Sequence, residues 1–278
     1  MIIVLSAGRC GTQWLATAIG ELYPQLVEAE HEPIGPLYEP RRFFRRYRDP
    51  EAMLDLADVR RHTERIAGSR HYIETGWPSF PALPLFAASF PDALRVVHLT
   101  RHPAPSALSH LAHQSYAGSP RADAYTRLAT LGPTDPNVFQ NAYAERWDAL
   151  TPYEKCLFWW TEVHAFGLEF AERFPAVERL VVRSEEMLCG DRPTLQRLID
   201  FCDLPWDDRL PGLTRRRVDR WHHHTSELDD PALVRRHPLA VEVAARLGYE
   251  AADVRLQELR ARYRGTPDAG LDRFGRFD

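Results

Sequence analysis

The opening of the chain is its most constraining feature. Ile2, Ile3, Val4 and Leu5 form an unbroken aliphatic run, the pattern of a strand buried on both faces of a parallel sheet. Ser6-Ala7-Gly8-Arg9-Cys10-Gly11 follows at once and supplies the glycines of a tight loop. From Thr12 the apolar positions Trp14, Leu15, Ala18, Ile19 and Leu22 recur at helical spacing until Tyr23-Pro24 ends the run. A strand, a glycine loop and a helix in direct succession present backbone N–H groups and a helix N-terminus to whatever lies above them, which suits a phosphate. The loop is not a Walker A loop, because Gly11-Thr12 lacks the intervening lysine, and it is not GxGxxG, so a nicotinamide or flavin site is unsupported.

The same succession occurs again. RVVHL marks a buried strand over 94–99, and Pro103 stands near the first turn of a helix over 103–111. Further strands are expected at 26–30, 72–75 and 180–182, and helices at 153–174 and 193–202, with a last helix ending at Leu247-Gly248-Tyr249. Strands alternating with helices predict an α/β fold, a three-layer sandwich around a central parallel sheet with a P-loop-like nucleotide-binding arrangement. Residues 1–264 read as one domain. Residues 113–151 turn rich in Gly, Pro, Ser, Asn and Tyr and read as a lid or acceptor-binding insertion, and 265–278 as a poorly packed tail.

Composition narrows the classes of function. The 278 residues are 44% hydrophobic and 27% charged, as in an ordinary globular enzyme. The formal net charge of −4 gives no global attraction to nucleic acid or to an anionic membrane, so an anion must be held by a local pocket. Lys155 is the only lysine, which leaves anion recognition to arginine guanidinium forks. Four scattered cysteines without a CxxC pair indicate neither a disulfide framework nor a thiolate zinc site. With no signal-like leader and no long apolar stretch, a cytoplasmic protein without a membrane span is expected.

Arg101 stands at the end of the 94–99 strand with Ser109 eight residues on, two helical turns along, so both converge on one anion. Taken together, SAGRCGTQWL and LTRHPAPSALS resemble the 5′-phosphosulfate loop and the 3′-phosphate motif of the sulfotransferases that use 3′-phosphoadenosine 5′-phosphosulfate (PAPS). Their order, separation and strand-loop-helix context match, and weaker similarity runs from Met1 to about Tyr249. The resemblance implies that Arg9, Cys10, Gly11, Thr12 and Gln13 hold the 5′-phosphosulfate, that Trp14 stacks on adenine, and that Arg101 and Ser109 hold the 3′-phosphate. A core anchor of the first helix is the alternative reading of Trp14. Ser184-Glu185-Glu186-Met187 resembles the segment that places Ser184 near the adenine, with Arg183 as a neighbour.

The chain departs from the family in one important place. HYIETGWP aligns with the Lys-Thr-His-Leu-Pro strand of the cytosolic enzymes, which puts Glu74 at their lysine and Gly76 at their catalytic histidine. Another proton acceptor is needed. Glu32 and His31, at the end of the second strand in EAEHEP, are the candidates, with Glu32 preferred and Glu74 as the outside choice. Pro33 is expected to hold Glu32 extended, so that Glu32 and His31 point apart. Arg9 joins the catalytic set as the cation facing the leaving oxygen.

The Arg215-Arg216-Arg217 run resembles the family's basic C-terminal loop, and His222-His223-His224 completes no metal site. The expected activity is sulfuryl transfer from PAPS to a hydroxyl or amine of a small-molecule, glycolipid or carbohydrate acceptor, without a metal and without nucleic acid. Tyr116, Tyr125, Phe139, Tyr143 and Trp147 suggest a partly apolar acceptor cleft. The alternatives are a P-loop nucleotide phosphotransferase, or a catalytically silent nucleotide- or partner-binding module on the same fold. The sequence leaves acceptor identity and oligomeric state open.

Overall fold

The computed structural model describes residues 1–33, 57–69, 71–77, 79–112, 115–116, 130–215 and 231–250. In chain order the elements are β1 (Ile2–Leu5), α1 (Thr12–Leu22), β2 (Glu28–His31), α2 (Ala57–Ala67), β3 (Tyr72–Thr75), α3 (Leu83–Ser89), β4 (Arg95–Thr100), α4 (Pro103–Ala112), α5 (Pro152–Arg173), β5 (Glu178–Arg183), α6 (Ser184–Cys189), α7 (Arg192–Phe201), α8 (Leu210–Leu213) and α9 (Pro238–Arg246). Short 3₁₀ turns occupy Phe80–Ala82, Asn141–Ala149 and Pro231–Arg236. The five strands form one all-parallel sheet in the order β2-β3-β1-β4-β5.

Strand alternation builds the three layers. Ile2 and Val4 of β1 pack with Trp14, Leu15 and Ile19 of α1 and with Leu195 and Leu198 of α7 on one face of the sheet. Ile3 and Leu5 face the opposite side, where α2, α3, α5 and α9 supply Ile66, Phe86, Trp159 and Val243. All four β1 side chains are buried, as an aliphatic run predicts when both faces are covered.

The sequence expectation holds for β1, β3 and α1 to the residue, and within two residues for β4, α4, β5 and α7. The short α3, with its preceding 3₁₀ turn, carries no expectation because its prolines mask the helical period. The chain runs from β1 outward to β2 and β3, then returns to the other side of β1 as β4. That reversal puts a crevice at the carboxyl ends of β1 and β4, where open α/β sheets bind ligands.

Within the expected insertion, the described aromatics pack against the core. Tyr143 is buried, and Tyr116, Phe139 and Trp147 pack against the core beside Phe158. Glu162 of α5 draws them in, accepting bonds from the Phe139 and Gln140 amides at 2.8 and 2.9 Å. Tyr125, His113, Arg216, Arg217, His222, His223, His224 and the 265–278 tail lie outside the described residues.

Candidate active site

The loop after β1 is a wound backbone held from outside. Gly8, Arg9 and Gly11 have φ of 85°, 58° and 94°, which turns the chain sharply into α1. The Ser6 hydroxyl accepts from the Gly8 N–H at 2.8 Å and meets Cys10 Sγ at 2.6 Å. Burial pushes the Cys10 thiol up to about 11, so it is a neutral group. Trp159 Nε1 donates to the Ala7 carbonyl at 2.8 Å, and Arg101 Nη1 donates to the Arg9 carbonyl at 2.8 Å. No side chain caps the N-terminus of α1 and no acidic residue stands in its first turn, so its leading amides and dipole are available to an anion.

The two sequence motifs meet here. Arg9 Nε donates to the Ser109 hydroxyl at 3.2 Å, joining β1's loop to α4, while Arg101 at the end of β4 grips the same loop. Trp160 Nε1 donates to the Arg101 carbonyl at 2.9 Å. Arg9, Arg101, Ser109 and the head of α1 therefore form one cationic, donor-rich corner. Thr12 and Gln13 open α1, with Thr12 buried and Gln13 half-buried.

Trp14 is 5% exposed, packs in the core below the sheet and donates Nε1–H to the Leu213 carbonyl at 2.9 Å. It is a wall of the fold on α1. Ser184 is buried at the head of α6. Its neighbour Glu185 accepts from the His102 amide at 2.9 Å and the Tyr249 hydroxyl at 3.0 Å, tying α6 to the end of β4. Arg183 bonds the Gly248 carbonyl and lies over the Tyr249 ring at 5.1 Å.

The second strand is followed by a half-buried carboxyl, Glu32. Register pairs His31 with Thr75, which brings Glu32 beside Gly76. Glu32 is not extended as Pro33 suggested. Its φ is 50°, because its amide still bonds the Thr75 carbonyl at 2.9 Å while its side chain folds over β3. A Cβ on Gly76, whose φ is 148°, would stand 2.6 Å from Glu32 Cγ. Glycine at 76 thus makes room for the carboxylate of 32, and the side chain absent from β3 is supplied by its neighbour β2.

Burial pushes the Glu32 carboxyl up to about 7, against the pull of the Arg9 guanidinium and of a hydrogen bond from the Trp77 backbone. His31 turns its ring toward Glu32, with Nε2 3.6 Å from Oε1, rather than away from it. Its Nδ1 lies 3.2 Å from both the carbonyl and the hydroxyl of Thr75, and burial lowers its pKa. Facing a carbonyl, Nδ1 carries the hydrogen and Nε2 is an acceptor.

Glu74 stands apart from this pair. It is 1% exposed and bonded by His62, Tyr72 and Ser79. Sequence reasoning missed Trp77, Ser79, His62 and the two indoles of α5. The only available signal was Gly76 itself, a missing side chain in a strand whose register neighbour carries a carboxylate.

No metal-binding cluster of three or more His, Cys, Asp or Glu side chains occurs among the described residues. No described helix is long and apolar enough to cross a membrane. No protein-family model and no curated protein matches the sequence.

Solved structures of similar shape include three sulfotransferases. One is the sulfotransferase domain of the curacin biosynthetic pathway, at 15% identity, covering 90% of this chain and 98% of that one, with TM-score 0.47. The second is the sulfotransferase domain of the Synechococcus PCC 7002 olefin synthase, at 16% identity, 95% and 92% coverage, and TM-score 0.47. The third is a sulfotransferase from Alicyclobacillus acidocaldarius, at 15% identity, 93% and 98% coverage, and TM-score 0.49.

Proposed function

We propose that this protein is a PAPS-dependent sulfotransferase acting on a hydroxyl or amine of a small-molecule, glycolipid or carbohydrate acceptor. The observation that carries the reading is the Arg9–Ser109 contact, which joins residues 100 positions apart and unites two anion-binding motifs at one sheet edge. A donor with phosphate at both 5′ and 3′ positions needs two such cradles. A nucleoside triphosphate needs one, with a lysine. The only lysine, Lys155, lies over the Trp147 ring at 5.1 Å, so the loop's own cation is Arg9.

The residues fit the donor's charges. The α1 amides, Thr12 and Arg9 serve the 5′-phosphosulfate, and Arg101 and Ser109 the 3′-phosphate. Ser184 and Trp14 flank the base side as part of the packed frame. PAPS supplies an activated sulfuryl group whose S–O bond to the 5′-phosphate breaks as the acceptor oxygen bonds to sulfur.

Glu32 takes the acceptor's proton. A carboxyl titrating near 7 is ionised in a large fraction of molecules at neutral pH while remaining basic enough to help. Arg9 and the α1 amides stabilise the charge that grows on the departing phosphate oxygen of adenosine 3′,5′-bisphosphate. His31 lies beside Glu32 on the side of β2.

Two measurements test the reading. Calorimetry should show adenosine 3′,5′-bisphosphate binding in strong preference to ATP. Mass spectrometry with PAPS and a mixed panel of alcohols, phenols, sugars and amines should detect a sulfated product, with Glu32→Gln about 100- to 10,000-fold slower at unchanged nucleotide affinity. Tight ATP binding without sulfated product would return the chain to the phosphotransferase or silent-module alternative.

A further inference from the structure

Glu74 lies two residues before Gly76, and its bonds reach beyond strand packing. His62 Nε2 of α2 stands 2.8 Å from Oε2, the Tyr72 hydroxyl 3.3 Å from the same oxygen, and the Ser79 hydroxyl bonds Oε1. Ser79 is 2% exposed and its carbonyl accepts the Ala82 amide at 3.0 Å, so it ends the turn that leaves β3 and begins the 3₁₀ turn. That turn carries two features that Glu32 depends on. Gly76 leaves space for its Cγ, and the Trp77 N–H donates to its carboxylate.

We infer that Glu74 and Ser79 are positioning residues for Glu32: Glu74 anchors Ser79, and the anchored turn presents the Trp77 amide to the Glu32 carboxylate. The inference rests on the reading of Glu32 as the proton acceptor for its catalytic consequence, though not for its geometry. The buried Glu74 thereby leaves the list of possible bases, since its oxygens are engaged by the scaffold.

The Glu74 charge and the Ser79 anchor act on Glu32 with opposite sign. The groups that act on Glu32 are the Arg9 guanidinium of the loop, the His31 ring of β2, the Trp77 amide of the turn and, through space, the Glu74 carboxylate of β3. Arg9 and the amide favour the ionised form, whereas Glu74 opposes it. Losing the Ser79 anchor loosens the amide and raises the midpoint of Glu32. Neutralising Glu74 removes a like charge, which lowers it, and weakens the Ser79 anchor, which offsets that effect.

The test is carboxyl NMR on the full chain labelled with ¹³C-glutamate, with the Glu32 resonance assigned by its loss in Glu32→Gln. Ser79→Ala should move the Glu32 midpoint up from its value near 7 by about half a pH unit or more, whereas Glu74→Gln, which removes a like charge while weakening the Ser79 anchor, should move it less. Ser79→Thr keeps the hydroxyl and should stay with the parent. The acidic limb of the kcat profile should follow the same three shifts, with acceptor KM little changed.

An unshifted midpoint in Ser79→Ala, with cooperative unfolding retained, would overturn the inference. If Glu74→Gln does not fold, the Ser79→Ala and Ser79→Thr pair decides alone. Midpoints that move as expected in a protein that sulfates no acceptor would overturn the proposed function and leave the inference standing.

Discussion

A single methyl group at position 76 should separate folding from chemistry. Gly76→Ala places a carbon 2.6 Å from Glu32 Cγ, more than about 1 Å inside the usual carbon–carbon contact, with the Glu32 amide nitrogen and Cα at 3.3 and 3.4 Å behind it. The obstacle is Cγ, so relief needs a change of the Glu32 χ1 rotamer, which carries the carboxylate away with it. A φ of 148° adds backbone strain of about 1 to 3 kcal/mol for any residue with a Cβ, and the overlap adds about 1 to 3 kcal/mol more. Urea unfolding at pH 7 measures the sum.

A double-mutant cycle separates the two parts. Glu32→Ala removes Cγ, so adding Gly76→Ala in that background should cost the backbone strain alone, leaving a coupling of about 1 to 3 kcal/mol. Displacing the base by about 1 Å should also slow sulfuryl transfer roughly 100-fold in Gly76→Ala, with adenosine 3′,5′-bisphosphate binding intact. Additive stabilities within about 0.5 kcal/mol would refute the reasoning, because Glu32 would then not fill the space above Gly76.

Other consequences are measurable in the same protein. Arg101→Ala should weaken adenosine 3′,5′-bisphosphate binding in calorimetry by about 1.5 to 3 kcal/mol and Ser109→Ala by about 1, charge-assisted bonds being the stronger. Because Glu32 holds its proton more tightly folded, at about 7, than unfolded, at 4.5, its contribution to stability falls as pH rises between those values. Glu32→Gln should therefore exceed the parent in stability at pH 8 by about 1 to 3 kcal/mol, the upper end discounted for its partial exposure, with the difference vanishing near pH 4. The buried His98–His164 pair, with Nε2 and Nδ1 2.9 Å apart, has the opposite sign. Burial lowers both rings, His164 to about 3, so stability is lost as pH falls below 6.5. His164 alone should account for about 2 kcal/mol by pH 5, and replacing both histidines by leucine should flatten the acid slope of a denaturation series.

The part of the fold that is legible in sequence is the part where one short run decides one element. Ile2–Leu5 reads as a doubly covered strand because nothing in it is polar, and Thr12–Leu22 reads as a helix because its apolar period is unbroken. Arg101 and Ser109 are legible as a pair because helical pitch fixes their separation. Glu32 is legible as a carboxylate at a strand end, but its posture is not. Pro33 argues for an extended residue, yet pairing across β2 and β3 and the vacancy at Gly76 select φ of 50°. Tertiary space overrides the local preference there. Trp14 and the aromatics Tyr116, Phe139, Tyr143 and Trp147 show the converse, since an aromatic side chain carries no local sign of whether it faces a ligand or a core.

The indoles of α5 have a bearing on the peptide dipoles of the loop after β1. Trp159 holds the Ala7 carbonyl, Arg101 holds the Arg9 carbonyl, and Thr75 Oγ1 holds the Thr12 carbonyl at 2.9 Å. In a planar trans peptide the N–H points opposite to the C=O, so fastening the Arg9 and Thr12 oxygens fixes the orientation of the Cys10 and Gln13 amides. The peptide dipoles of the loop are thus oriented by its scaffold before any ligand arrives. A change at Trp159 touches no anion, yet it frees the Ala7 carbonyl and leaves the Gly8–Ser6 bond as the remaining hold on that peptide.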